Sequence, residues 1–97
     1  MAGKVIWSDD AIADLAALVR YIAEDNRDAA EKTGRAILEQ TRLLEEFPLA
    51  GKVLPEEGRA AVREIQLPPW RLIYEVYDDG TVVVLRIWHA ARGQPEV

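Results

Sequence analysis

The chain has 97 residues, 49% of them hydrophobic, with no cysteine, one histidine and a formal net charge of −5. That length holds one domain with one core, here residues 1–97, and the apolar share excludes an intrinsically disordered chain. Without cysteine there is no disulfide or thiolate chemistry, and with a single histidine a zinc site would have to draw mostly on carboxylates. Neither a metal nor a cofactor is expected.

The opening Met1 to Trp7 is too short and too polar for a signal peptide. No stretch approaches the roughly 20 apolar residues of a membrane-spanning helix. The expectation is a cytoplasmic protein with no membrane partner. Lys4 to Trp7 is short, apolar and β-rich, and reads as a first strand. Ser8 is a candidate N-cap, with Asp9 and Asp10 in the first helical turn, where the helix dipole favours acids. Ile12, Leu15, Leu18, Val19 and Ile22 then recur at helical spacing, until Glu24-Asp25-Asn26-Arg27 breaks the pattern.

A second helix is expected to open near Asp28, which has capping-box spacing to Glu31. Its stripe runs through Ala30, Gly34, Ile37, Leu38, Thr41 and Leu44 to Phe47, where Pro48 stops it. Gly34 costs about 1 kcal/mol of helix propensity, and close approach to the alanine-rich first helix is the compensating gain. So short a connection makes the two helices an antiparallel hairpin. Residues 48–61 contain Pro48, Gly51, Pro55 and Gly58, and read as one irregular connection.

Beyond it the period becomes two. Val62 to Leu67 is a strand ended by Pro68-Pro69, Arg71 to Tyr77 is the next, Asp78-Asp79-Gly80 is a tight turn, and Thr81 to Trp88 is the last strand. The tail from His89 to Val97 reads as polar and loose. The order β-α-α-β-β-β predicts an α+β fold, a helical hairpin on one face of a mainly antiparallel sheet. Alternation places Leu72, Tyr74 and Val76 on one side of their strand, and Val83, Leu85 and Ile87 on one side of the last. If one face lies under the hairpin, the other should expose Ile73, Tyr77, Val82, Val84 and Trp88, with Arg71 and Arg86 among them. A monomer rarely leaves such a patch bare, which predicts a protein partner.

The charge is uneven. Residues 1–57 carry 12 acids and 7 bases, whereas residues 58–97 carry 5 of each, and those bases are all arginines: Arg59, Arg63, Arg71, Arg86 and Arg92. Arginine forks suit phosphate or carboxylate recognition; ordinary solvated residues are the plainer reading.

Val5-Ile6-Trp7-Ser8 with Ala11-Ile12-Ala13-Asp14-Leu15, then Phe47-Pro48-Leu49-Ala50-Gly51, then Arg63-Glu64 and Trp70 to Val76, and finally Arg86-Ile87-Trp88-His89-Ala90-Ala91-Arg92 follow one another along the chain. Together these segments resemble the ParE/RelE superfamily of toxins. The resemblance implies a toxin held by a cognate antitoxin, one with a ribbon-helix-helix N-terminus and an extended segment and helix that wrap the toxin. Arg71, Ile73, Tyr77, Val82 and Val84 are then its expected contacts.

The superfamily divides into ribosome-dependent mRNA endonucleases of the RelE type and ParE-type proteins that inhibit DNA gyrase by binding it. Cleavage by a ribose 2′-hydroxyl needs a base, an acid and cations for the transition state. The candidates are Arg63, Arg71, Arg86 and His89, with Glu64, Lys52 and Arg59 beside them. Arg71 and Arg86, on neighbouring strands and one deduced face, would converge on a phosphate. Each has a structural alternative. His89 suits a hydrogen-bonded strand end, Arg63 a pair with Glu64 or Glu75, Glu64 a salt-bridged surface acid, and Arg71 and Arg86 antitoxin carboxylates. Three lysines and a net charge of −5 oppose binding to ribosomal RNA, which rests on phosphate neutralisation. The expected function is therefore gyrase inhibition, with Arg86, Trp88, His89 and Arg92 meeting the target, and mRNA cleavage on the ribosome as the alternative.

Overall fold

Ser8 decides where the first strand ends and the first helix begins. In the computed structural model, which describes residues 3–54 and 61–97, its hydroxyl accepts the Ala11 N–H at 3.0 Å. The same hydroxyl donates to the Leu85 carbonyl at 2.9 Å, and the Ser8 N–H donates to the Val84 carbonyl. One residue thus caps helix α1 (Asp9–Ala23) and ties it to strand β5 (Val82–His89). Strand β1 (Val5–Trp7) lies parallel to β5, Val5 opposite Val82 and Trp7 opposite Val84.

Helix α2 (Arg27–Leu43) opens earlier than expected. Asn26, in extended geometry, accepts the Ala29 N–H through Oδ1 at 3.0 Å and is the cap, so Asp28 falls in the first turn, where its charge still suits the dipole. A Cβ on Gly34 would stand 3.4 Å from Val19 Cγ2, so the missing side chain permits the close helix approach that the sequence suggests. Ala11, Leu18, Ile37 and Leu44 are buried beneath the hairpin. Ile12, Leu38 and Phe47, read as stripe residues, are exposed. A helix turns about 100° per residue, which carries Ile12 past the edge of the stripe that Ala11, Leu15 and Leu18 define.

The stretch read as wholly irregular contains strand β2 (Lys52–Val53), antiparallel to β3 (Val62–Leu67) with Lys52 opposite Glu64. Strand β4 (Trp70–Val76) follows the cis Pro68–Pro69 bond and pairs antiparallel with β3 and β5. Gly80, at φ 88°, supplies the left-handed turn residue. The sheet is mixed, in the order β1-β5-β4-β3-β2, and the α+β reading holds. Among the described residues no helix is long and apolar enough to cross a membrane.

The exposed second face does not exist in the form that alternation suggests. Ile73 pairs with Arg86 and Tyr74 with Val84, so Leu85 is the extra residue of a bulge in β5. The bulge inverts the parity of the strand. Val82 and Val84 join Leu72, Tyr74 and Ile87 in the core under the hairpin, while Ile73 and Trp88 pack with Leu54 and Val62 on the far side. Of the five apolar residues expected in the bare patch, Ile73, Val82, Val84 and Trp88 are buried, and Tyr77 alone stays exposed. Leu54 helps to cover the far face. The tail does too, since it is docked rather than loose: Ala90–Arg92 form a 3-10 turn and Pro95 is buried.

Candidate functional site

The bulge sets the site as well as the core. At this point β5 has run past the end of β1, and the Arg86 side chain reaches Asp14 of α1, with Nε and Nη2 donating at 2.7 and 3.0 Å. Asp14 Oδ2 also accepts the Ile87 N–H at 3.0 Å, so the carboxylate holds three donors. Both side chains are mostly buried, 17% and 14% exposed. The hydrogen bonds that Arg86 donates to Asp14 raise its pKa against the burial that lowers it. Arg86 Nη1 also donates to the Glu96 carbonyl and so holds the tail.

Trp88 is the platform of the arm. Its indole N–H donates to the Gly93 carbonyl at 3.2 Å, and the guanidinium carbons of Arg86 and Arg92 lie 5.0 and 4.0 Å from the ring centroid. Each cation over the ring contributes about 0.5–1 kcal/mol, more where desolvated. His89 Nδ1 accepts the Ala91 N–H at 3.0 Å and caps the 3-10 turn. This bond assigns the neutral ring's proton to Nε2. The ring meets Trp70 edge-on with centroids 4.9 Å apart. Arg86, Trp88, His89 and Arg92 are thus gathered as the sequence suggests. Trp88, at 2% exposure, orients the arginines and presents almost no surface of its own.

The cations proposed for RNA cleavage do not come together. Glu64, read as a surface acid, is buried and takes the Arg71 Nε at 2.6 Å. Arg71 lies on the far face beside Ile73 and is tied to Glu64, whereas the Arg86 guanidinium reaches Asp14 of α1, so each is held by its own carboxylate. Arg63 Nη1 donates to the Gly51 carbonyl at 2.7 Å, and its Nε is buried without a partner. Tyr74 accepts the Gly51 N–H at 2.7 Å, so Gly51 is gripped at both ends of its backbone. Burial raises the Tyr74 pKa, opposed by the Gly51 N–H and the Arg63 charge. Lys52 is exposed on β2, and Arg59 lies outside the described residues.

Sequence reasoning missed Asp14, Tyr21 and Trp70, which share a 230 Å³ cleft with His89 and Arg92. Asp14 had a readable signal. It follows Ala11 by three positions and precedes Leu18 by four, so a carboxylate sits on the buried stripe and requires a cation.

The comparisons place the chain in a family. Residues 5–93 match the family model described as the ParE toxin of the type II toxin–antitoxin system parDE. Toxin RelE2 of Caulobacter vibrioides is 34% identical over 90 residues, 92% of this chain and 97% of that one. The chromosomal ParDE system of P. aeruginosa superposes with a TM-score of 0.73 at 26% identity, covering 91% of this chain and 96% of the other. The toxin–antitoxin complex RelBE2 of Mycobacterium tuberculosis does so at 0.66 and 27%, covering 92% and 99%. The chain belongs to the ParE toxin family, within the ParE/RelE superfamily of type II toxin–antitoxin toxins.

Proposed function

We propose that this toxin acts in the cytoplasm by binding DNA gyrase through His89 and Arg92, on an arm that buried Trp88 and the Asp14-paired Arg86 hold in place, and that a cognate antitoxin with a ribbon-helix-helix N-terminus neutralises it. One observation carries the choice of target: the arginines that would serve an RNA-cleaving centre are engaged within the fold. Arg71 is paired with buried Glu64, Arg86 with Asp14, and Arg63 with the Gly51 carbonyl. The two carboxylates lower the positive field available to a phosphate, and the Gly51 carbonyl occupies a donor of Arg63. Arg92, by contrast, is exposed and stacked on Trp88.

Ile73, Val82 and Val84 are too buried to meet an antitoxin, and Arg71 is held by Glu64. The surface that fits this partner is the 450 Å³ groove of Pro48, Leu49, Val76 and Tyr77. Leu49 and Tyr77 are 62% and 49% exposed there, and the names of the similar solved structures describe toxin–antitoxin systems.

Purified toxin should block gyrase supercoiling, and addition of the antitoxin should restore it. Gyrase left untouched while mRNA is cut in the ribosomal A site would overturn this reading. That second outcome belongs to the alternative that the name Toxin RelE2, carried by a relative, suggests.

A further inference from the structure

The cleft between α1 and the end of β5 borders the arm, whose His89 and Arg92 line one side of it. Its buried base includes Leu18 and Ile87, and the aromatic side chains around it are Tyr21, Trp70 and His89, with Asp14 and Arg92 completing the lining. At 230 Å³ it is smaller than the roughly 300–1,000 Å³ of a small-molecule site. It is the size of pocket that takes one anchoring side chain. Tyr21 is 72% exposed although nothing in its helical position requires a large ring in solvent.

The polar groups left over at this cleft are donors. Asp14 already accepts three N–H groups, two of them from Arg86, which neutralises its charge. His89 uses Nδ1 as the acceptor for Ala91, leaving an Nε2 proton to give. Arg92 rests on the Trp88 ring, and no carboxylate among the described residues is paired with it. An aromatic pocket with spare donors and one open cation fits an apolar side chain next to a carboxylate. Glu24 and Asp25 border Tyr21 on its other side and disfavour a polyanion such as RNA.

We propose that the protein target docks here, inserting one aromatic or long aliphatic side chain between Tyr21 and Trp70 and placing an adjacent carboxylate on Arg92. The inference rests on the target-binding reading above and extends it from the arm to α1.

Ala17 and Tyr21 are exposed positions of α1 outside the arm. Ala17→Phe fills the cleft and Tyr21→Ala opens it, while Arg92→Glu reverses the charge of the arm itself. Each is compared with wild type for growth arrest without antitoxin, affinity for purified gyrase subunits, antitoxin co-purification and binding of a labelled single-stranded RNA. All three should weaken gyrase binding by about tenfold or more and relieve growth arrest, with antitoxin binding kept. If Arg92→Glu is impaired and both α1 variants match wild type, the cleft is overturned and the arm stands. If wild type neither binds gyrase nor arrests growth, both readings fall. If it arrests growth without binding gyrase, the gyrase reading falls, and the cleft stands or falls with the α1 variants' arrest. RNA binding lost in the α1 variants would replace the protein ligand with a nucleic acid.

Discussion

Arg86 and Asp14 stand 72 positions apart in the chain and close a two-pronged ion pair at 2.7 and 3.0 Å. It joins the first helix to the last strand at the bulge, and the carboxylate also takes a backbone N–H from that strand. The pair fastens the hairpin to the sheet and fixes the arginine that lies nearest Trp88 from the strand side.

Asp14→Ala should destabilise the fold by about 2–3 kcal/mol, because it leaves Arg86 mostly buried without its counter-charge and orphans the Ile87 N–H. Arg86→Ala should cost a similar amount. Together they should cost less than the sum, with a coupling of about 1–2 kcal/mol in a double-mutant cycle read by urea denaturation. Strict additivity would mean that the pair contributes nothing.

Gly51→Ala should be the more damaging change. A Cβ there would lie 2.5 Å from the Glu64 carbonyl and 2.7 Å from the Tyr74 hydroxyl. Both neighbours are in the sheet and neither can yield cheaply, so about 3 kcal/mol is expected. Tyr74→Phe should cost about 1–2 kcal/mol, since the buried Gly51 N–H loses its acceptor. A melting temperature for Gly51→Ala near that of wild type would show that the loop can retreat.

Alkaline pH should weaken the fold through Tyr74. Burial raises its pKa above the ordinary value of 10.0, so its contribution is complete below pH 10 and falls away as pH rises through the higher folded value. Arg86, whose pKa is raised further above this window by its hydrogen bonds to Asp14, stays charged throughout and adds no slope. Unfolding free energy measured from pH 8 to 11 should decline at the upper end for wild type and less steeply for Tyr74→Phe. Parallel curves would remove Tyr74 as the cause.

Arg92→Ala should separate function from stability. The exposed guanidinium contributes only about 0.5–1 kcal/mol through the Trp88 ring, so the melting temperature should shift by a few degrees at most. Growth arrest should nevertheless be lost. Full toxicity in this variant would remove Arg92 from the target-binding arm.

The hairpin, its cap at Ser8, the Gly34 approach and the Gly80 turn were all legible, because helical period, cap chemistry and positive φ are local properties of the chain. The faces of β5 were not. One bulge at Leu85 inverts every side chain beyond it, and nothing in the run of Val82, Val83, Val84 and Leu85 marks which residue is extra. The buried state of Trp88 escaped for a related reason: what covers it is Leu54 and the tail, which composition suggested was loose. Of the candidate site, the closeness of Arg86, Trp88, His89 and Arg92 was readable, because they are near neighbours in the chain. The Asp14 anchor and the Tyr21–Trp70 cleft were not, since they depend on contacts between segments far apart in sequence.

The parallel pairing of β1 with β5 also bears on the order in which the fold assembles. Ser8 meets the strand at Leu85, a separation of 77 positions, and Arg86 finds Asp14 only after nearly all the chain has left the ribosome. Such late contacts slow folding, so a nascent or prematurely terminated chain has helices but no assembled arm. The surface around Trp88 is therefore among the last parts of the fold to form, because it waits on contacts that join the first helix to the last strand.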